Sequence, residues 1–144
     1  MKARYTIGRK DKVDLPELGV ENVNAKIDTG AYTSSLHCKK IKVENGTLRC
    51  YIPLNQGGKT SKMYFETKHF RTKAVKSSNG IIQERYVIKT KITLFKKTYL
   101  AEFSLTDRSS MKNPILIGRK LLKDKFIVDV SRKNLSFDAK TNPS

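Results

Sequence analysis

Apolar and polar residues alternate with period two along much of the chain. Leu48, Cys50 and Ile52 share one side of a first run, and Ile82, Tyr86, Ile88, Ile92 and Leu94 share one side of a second. Tyr99, Ala101, Phe103 and Leu105 form a third set, and Phe126, Val128 and Val130 a fourth. Successive side chains of a strand point to opposite faces, so this spacing predicts strands with one buried face. Glu84 interrupts the second run, which exceeds the usual strand of about 5–6 residues, and a bend or bulge is expected there. Asn45–Gly46 and Asn79–Gly80 tolerate the positive φ of tight turns, which predicts two hairpins. Helical spacing is confined to Arg119–Lys125, where Leu121 and Leu122 follow Gly118. The expected class is all-β with one short helix near the C-terminus. Short antiparallel strands with regular turns close into a sandwich or barrel, because closure removes exposed edges.

Composition limits this picture to a single domain over residues 1–144: 38% hydrophobic residues in 144 supply one ordinary core. No repeat or low-complexity linker divides the chain, and Pro16, Pro53, Pro114 and Pro143 mark no boundary. Thirty Lys and Arg against thirteen Asp and Glu give a net charge of +17, a field that favours acidic partners. No run approaches the roughly 18–20 apolar residues of a membrane-spanning helix, and Met1–Lys12 is polar where a signal peptide would be apolar. No membrane span and a cytoplasmic location are therefore expected; a leader omitted from the sequence would change the latter. Cys38 and Cys50 read as a reduced, buried pair.

The chemistry concentrates in two places. Ala25, Lys26, Ile27, Asp28, Thr29, Gly30 and Ala31 carry an apolar strand onto a carboxylate, a hydroxyl residue and a glycine. The order suits a loop that presents an acid, with the hydroxyl fixing the loop and the glycine admitting close backbone approach, although the same residues also build ordinary turns. Pro114, Ile115, Leu116, Ile117, Gly118 and Arg119 place apolar residues before a second glycine and lead into the helical segment.

Together these segments resemble the retropepsin-like aspartic peptidases, in which an Asp-Thr-Gly-Ala loop packs on a later apolar-apolar-Gly segment. Five stretches sharpen the resemblance to a bacterial family of retropepsin-like endopeptidases, also called ATP-dependent zinc proteases and associated with ATP-grasp glutamate ligases: Ile7–Arg9 with Val13–Gly19; Lys26–His37; Arg71, Val75–Gly80 and Glu84–Tyr86; Leu105–Met111; and Pro114–Val130. The resemblance implies a retropepsin-like (acid protease) closed barrel. It also implies an aspartic endopeptidase in which Asp28 activates water, Thr29 and Gly30 shape the loop, and Leu116, Gly118 and Arg119 support it. One carboxylate cannot both activate water and protonate the carbonyl oxygen. Asp28 is the one Asp followed by Thr and Gly, so by analogy the second acid comes from a symmetry mate and the chain is a homodimer. Retroviral enzymes carry an Asp after the Ala that pairs with the arginine following the later glycine. Here that position is Tyr32, which leaves Asp129 or Asp107 as partners for Arg119.

The link to glutamate ligases implies acidic, glutamate-rich substrates. Lys59–Lys97 holds eleven basic and two acidic residues, and Arg71, Arg85 and Arg108 suit carboxylates through bidentate hydrogen bonds. Ala31, Ser77 and Ser78 are further substrate-contact candidates, the serines with Gly80 in a flap or a plain hairpin tip. The zinc label finds little support, since His37, Cys38, Cys50 and His69 make no recognisable ligand set. Gly57–Thr60 imitates the end of a phosphate loop but lacks its earlier glycine. No metal and no cofactor are expected. The alternative is a non-catalytic basic module that binds acidic protein, nucleic acid or an anionic polymer on the same fold. Nucleic acid is its weaker form, because aromatics are 8% of residues and Tyr64, Phe65 and Phe70 make no regular stacking platform.

Overall fold

A computed structural model describes residues 4–76, 79–107 and 112–141. Twelve strands run in chain order: β1 (Tyr5–Ile7), β2 (Lys10–Leu15), β3 (Val20–Ile27), β4 (Ser34–His37), β5 (Lys39–Glu44), β6 (Thr47–Gln56), β7 (Lys59–Thr67), β8 (Arg71–Lys76), β9 (Ile82–Leu94), β10 (Lys97–Thr106), β11 (Ile115–Ile117) and β12 (Phe126–Val128). A 3-10 turn covers Pro16–Leu18, and there are two short helices, α1 (Arg119–Leu122) and α2 (Leu135–Thr141). The second helix is absent from the sequence pattern.

Six strands close into a barrel in the order β10-β4-β11-β3-β2-β9, with β9 returning to β10. Alternation places Val13, Val23, Ala25, Leu36, Ile92, Phe103, Ile115 and Ile117 inside. Strands β5, β6 and β7 form a separate antiparallel sheet, and Leu48, Cys50, Ile52 and Leu54 of β6 pack into the same apolar cluster. Cys38 and Cys50 are buried free thiols. A hydrogen bond between them and burial push the Cys38 thiol pKa up. The short pair β1–β12 is parallel.

The Asn45–Gly46 hairpin is present, with φ of 50° and 76° at its two tip residues. Gly57–Gly58 makes a similar tip between β6 and β7, with φ of 60° and 80°, so the residues that imitate a phosphate loop are a hairpin tip and the first two residues of β7. The expected bend in the second apolar run takes another form. Strand β9 runs unbroken from Ile82 to Leu94 but changes partners: Val87–Leu94 pairs with β10 inside the barrel wall, and Ile82–Val87 pairs with β8. Strand β8 and this half of β9 make a two-stranded arm extending from the barrel. Ile82 is consequently 68% exposed and does not belong to the core.

Candidate active site

Asp28 is placed by the parallel pairing of β3 and β11, which sets Ala25 beside Ile115 and Ile27 beside Ile117. The Asp28 N–H continues this ladder by donating to the Ile117 carbonyl at 2.8 Å. Its carboxylate Oδ1 then accepts the Gly30 N–H at 3.0 Å, and the Ala31 N–H returns to the Asp28 carbonyl at 3.2 Å. The loop is therefore tightly turned, with Asp28 half-buried and Thr29 and Gly30 exposed.

The Gly118 region clamps this loop from behind. Arg119 N–H donates to the Ala31 carbonyl and Lys120 N–H to the Tyr32 carbonyl, each at 2.9 Å. Gly118 N–H donates to the buried Ser34 Oγ at 3.1 Å. A Cβ on Gly118 would lie 2.7 Å from the Thr33 carbonyl oxygen and 2.8 Å from that of Tyr32, closer than real side chains approach. Glycine is required here for backbone proximity; its φ of −96° is open to any residue.

Arg119 takes neither Asp129 nor Asp107. Its Nη1 donates to the Thr29 carbonyl at 2.9 Å, and its guanidinium lies 5.8 Å from the centre of the Tyr32 ring, a cation–π distance. Asp129 instead accepts from the Ser131 N–H and hydroxyl, which hold its carboxyl below the usual range. The substitution of Tyr32 for an acid thus changes an ion pair into a carbonyl contact and a ring contact. The group of this loop that Arg119 holds is the Thr29 carbonyl.

Asp28 and Ala31 line a cleft of about 470 Å³ together with Arg71, Lys73, Ala74, Val75, Lys76, Arg85 and Val87 of the arm. Its other wall is Thr33, just before β4, and the faces of β4, β10 and β11 that carry Ser35, Glu102, Ser104, Thr106 and Leu116. Leu116 is therefore a wall of the cleft as well as a support. Lys73 and Arg85 are direct cross-strand partners on the cleft-facing side, an arrangement of like charges that costs stability unless an anion lies over it. Arg71 is already engaged, with Nη2 at 2.6 Å from Glu102 Oε2; Lys120 reaches Glu102 Oε1 at 3.2 Å. These cations hold the Glu102 carboxyl below its ordinary pKa, Arg71 foremost. Ser77, Ser78 and Arg108 lie outside the described residues, while Gly80 sits in the turn of the arm with φ of 84°.

Sequence reasoning did not find Lys73, Lys76, Glu102, Ser104 or Thr106. Lys73 and Lys76 had a signal in the basic run; Glu102 and the hydroxyl residues sit at ordinary outward positions of strands. Among the described residues, no group of three or more His, Cys, Asp or Glu is disposed to hold a metal, and no helix is long and apolar enough to cross a membrane.

The model of the family described as RimB-like, retropepsin-like aspartic endopeptidase RimB, matches residues 6–138. The chain belongs to the RimB-like family. A relative in Shewanella halifaxensis, named as a probable alpha-L-glutamate ligase, is 33% identical over 132 residues, covering 89% of this chain and 29% of its own length. A protein of the same name in Desulfotalea psychrophila is 30% identical, covering 88% of this chain and 28% of its own. The chain thus spans less than a third of these curated relatives. Among solved structures, Lpg0085 of Legionella pneumophila, described as of unknown function, superposes with a TM-score of 0.75 at 27% identity, covering 93% of this chain and 99% of that one. Membership of the RimB-like family and the closed six-strand barrel agree with the retropepsin-like fold that Asp28–Ala31 and Pro114–Gly118 imply.

Proposed function

We propose that this RimB-like chain is an aspartic endopeptidase that cleaves acidic, glutamate-rich peptides as a homodimer. The observation that carries the reading is Asp28, half-buried with its carboxylate accepting the Gly30 N–H, in a cleft whose arm supplies Arg71, Lys73, Lys76 and Arg85. The opposed pair Lys73–Arg85 gains from an anionic ligand, and a glutamate-rich segment brings carboxylates at every residue. Strand β8 terminates its sheet and its consecutive residues Lys73–Lys76 line the cleft, a geometry suited to an extended peptide lying along a strand edge. That curated relatives carrying a similar region are named glutamate ligases fits a substrate in which glutamates have been joined.

Aspartic hydrolysis needs two carboxyl groups in contact that share one proton. The ionised member takes a proton from water as the water oxygen bonds to the scissile carbonyl carbon, while the other gives its proton to the carbonyl oxygen. Collapse of the resulting diol breaks the C–N bond, and the amine leaves with a proton. Glu102 shares the cleft but is held ionised by Arg71 and Lys120, which unfits it to donate. A second Asp28 from a twofold mate is the better source. Beside Thr29 lies a shallow concavity formed by Tyr32, Leu122, Phe126 and Val128, with Tyr32 58% exposed and neighbouring Ile127 54%. Apolar surface next to the acid loop is what such a pairing would cover.

The test is incubation of the protein and its Asp28→Asn variant with a glutamate-tailed peptide and a neutral control from acid to neutral pH, with products read by mass spectrometry. Cleavage of the acidic peptide by the unaltered protein alone is expected, together with a dimer in sedimentation. Binding of the tail by both proteins without cleavage would replace the peptidase with the anionic-ligand module, which the cationic arm equally serves.

A further inference from the structure

Strand β10 turns Ala101, Phe103 and Leu105 into the barrel, so Leu100, Glu102 and Ser104 share its other side. Glu102 and Ser104 line the Asp28 cleft. Leu100 and Glu102 line a second hollow, of about 200 Å³, together with Lys89, Lys120 and Lys125. Glu102 therefore stands where the two meet. Its carboxylate is divided between them: Oε2 accepts from Arg71 of the cleft at 2.6 Å, while Oε1 lies 3.2 Å from Lys120 Nζ and 3.9 Å from Lys89 Nζ of the hollow.

Three lysines around one carboxylate, which Arg71 already engages, leave the hollow with an excess of positive charge. Lys89 and Lys120 bring their ammonium groups to the same oxygen, where like charges repel unless a further anion joins them. Lys125 is exposed and has no ion-pair partner among the described residues. The side chains of Lys89 and Lys120 are 64% and 46% exposed, which leaves them open to a ligand from solvent. Glu102 itself shows that the cluster accepts a carboxylate. Leu100, 65% exposed, adds apolar surface suited to the methylenes of an acidic side chain. Ser104 and Leu100 are four residues apart on β10, or about 13 Å at the rise of a strand. An extended peptide running beside β10 covers that distance in about four residues.

We propose that the hollow of Lys89, Lys120 and Lys125 is a second anionic subsite, which takes a carboxylate of an acidic peptide about four residues from the part held beside Ser104. The proposal rests on the acidic-substrate reading for its ligand and adds to it a second point of attachment, across Glu102 from the Asp28 cleft. Such a subsite sets affinity and register without touching the chemical step.

The experiment measures calorimetric binding of octaglutamate to Asp28→Asn protein, which prevents turnover, and to the same protein carrying Lys89→Gln with Lys125→Gln. A second pair, Lys42→Gln with Lys133→Gln, removes equal charge at exposed positions outside both pockets. All four side chains are exposed, so both pairs should melt at the temperature of the parent. The first pair is expected to weaken binding about tenfold, the loss of two exposed ion pairs, and to raise KM without changing kcat when Asp28 is intact. The second pair should weaken it by about twofold or less, because salt screens distant charges. Unchanged affinity in the first pair, an equal loss in the second, or no binding of octaglutamate at all would overturn the subsite. Displacement of octaglutamate by inorganic phosphate at constant ionic strength would also overturn it, making the hollow a site for free anions. Failure of the unaltered protein to cleave, with the first pair still weakening the binding, would sink the peptidase reading alone.

Discussion

Replacing Gly118 by alanine tests the mechanical link between the second glycine and the acid loop. The added methyl meets backbone atoms only: the Thr33 carbonyl oxygen at 2.7 Å, the Thr33 carbonyl carbon at 2.8 Å and the Tyr32 carbonyl oxygen at 2.8 Å. Ordinary carbon–oxygen contact begins near 3.3 Å, so the Tyr32–Thr33 segment must retreat by about 0.6 Å. No flexible side chain can give way in its place. The retreat pulls on the Lys120-to-Tyr32 and Arg119-to-Ala31 bonds and so on the loop that carries Asp28. Overpacking of this kind costs about 2 kcal/mol, equivalent to a fall in melting temperature of roughly 4–8 °C for a chain of this size. Displacement of a reacting group by a fraction of an ångström lowers kcat/KM on the order of ten- to a hundredfold. Calorimetric melting and peptide cleavage by the same preparation measure both effects. A Gly118→Ala protein with unaltered melting temperature would refute the close packing on which the argument stands; a destabilised protein with full activity would refute the coupling to Asp28.

Two further substitutions probe the supports of the cleft and the barrel. Glu102 ties the arm to the wall through Arg71 and to α1 through Lys120. Its folded pKa is lowered, so its stabilisation is fully present above the ordinary glutamate value of about 4.3 and is lost as pH falls through the lowered one. With both cations about half exposed, Glu102→Gln should cost about 1 kcal/mol near neutrality, and melting curves of variant and parent should converge in acid; a gap independent of pH would refute the charge assignment. Ser136 is buried, and its Oγ accepts the Phe95 N–H at 2.8 Å at the β9–β10 turn. Ser136→Ala leaves that N–H without its acceptor and should lower stability by about 1–2 kcal/mol in a denaturant titration, whereas an unchanged midpoint would show that water replaces the hydroxyl freely.

What the sequence determines by itself is what local chemistry dictates. Period-two alternation set the strands because each needs only its own residues to define a buried face, as Leu48, Cys50 and Ile52 or Ala101, Phe103 and Leu105 show. Asn45–Gly46 announced its turn because few other residues accept positive φ at low cost. Asp28–Ala31 and Pro114–Gly118 were legible as the two halves of one site through their resemblance to a family motif, and the closeness of Gly118 to Thr33 follows that pattern.

Tertiary structure decided the rest, because the causes lie far away along the chain. Helix α2 has little apolar periodicity, and its start is held by Asp11, whose carboxylate accepts the Ser136 N–H across 125 positions of sequence. Phe95 and Lys96 turn a hairpin at φ of 53° and 63° without glycine or asparagine. Stacking of Phe95 on Tyr5 and its bond to Ser136 supply the compensation, and neither is visible locally. Strand β9 reads as one run, yet only pairing with β8 and β10 divides it into arm and barrel. The cleft exists because of that division. Arg71 meets Glu102, and Lys73 and Arg85 come to face the hydroxyl wall, only when the arm folds beside β10. Alternation specifies which face of a strand is buried, while the partner of that strand is chosen by the closure of the whole barrel.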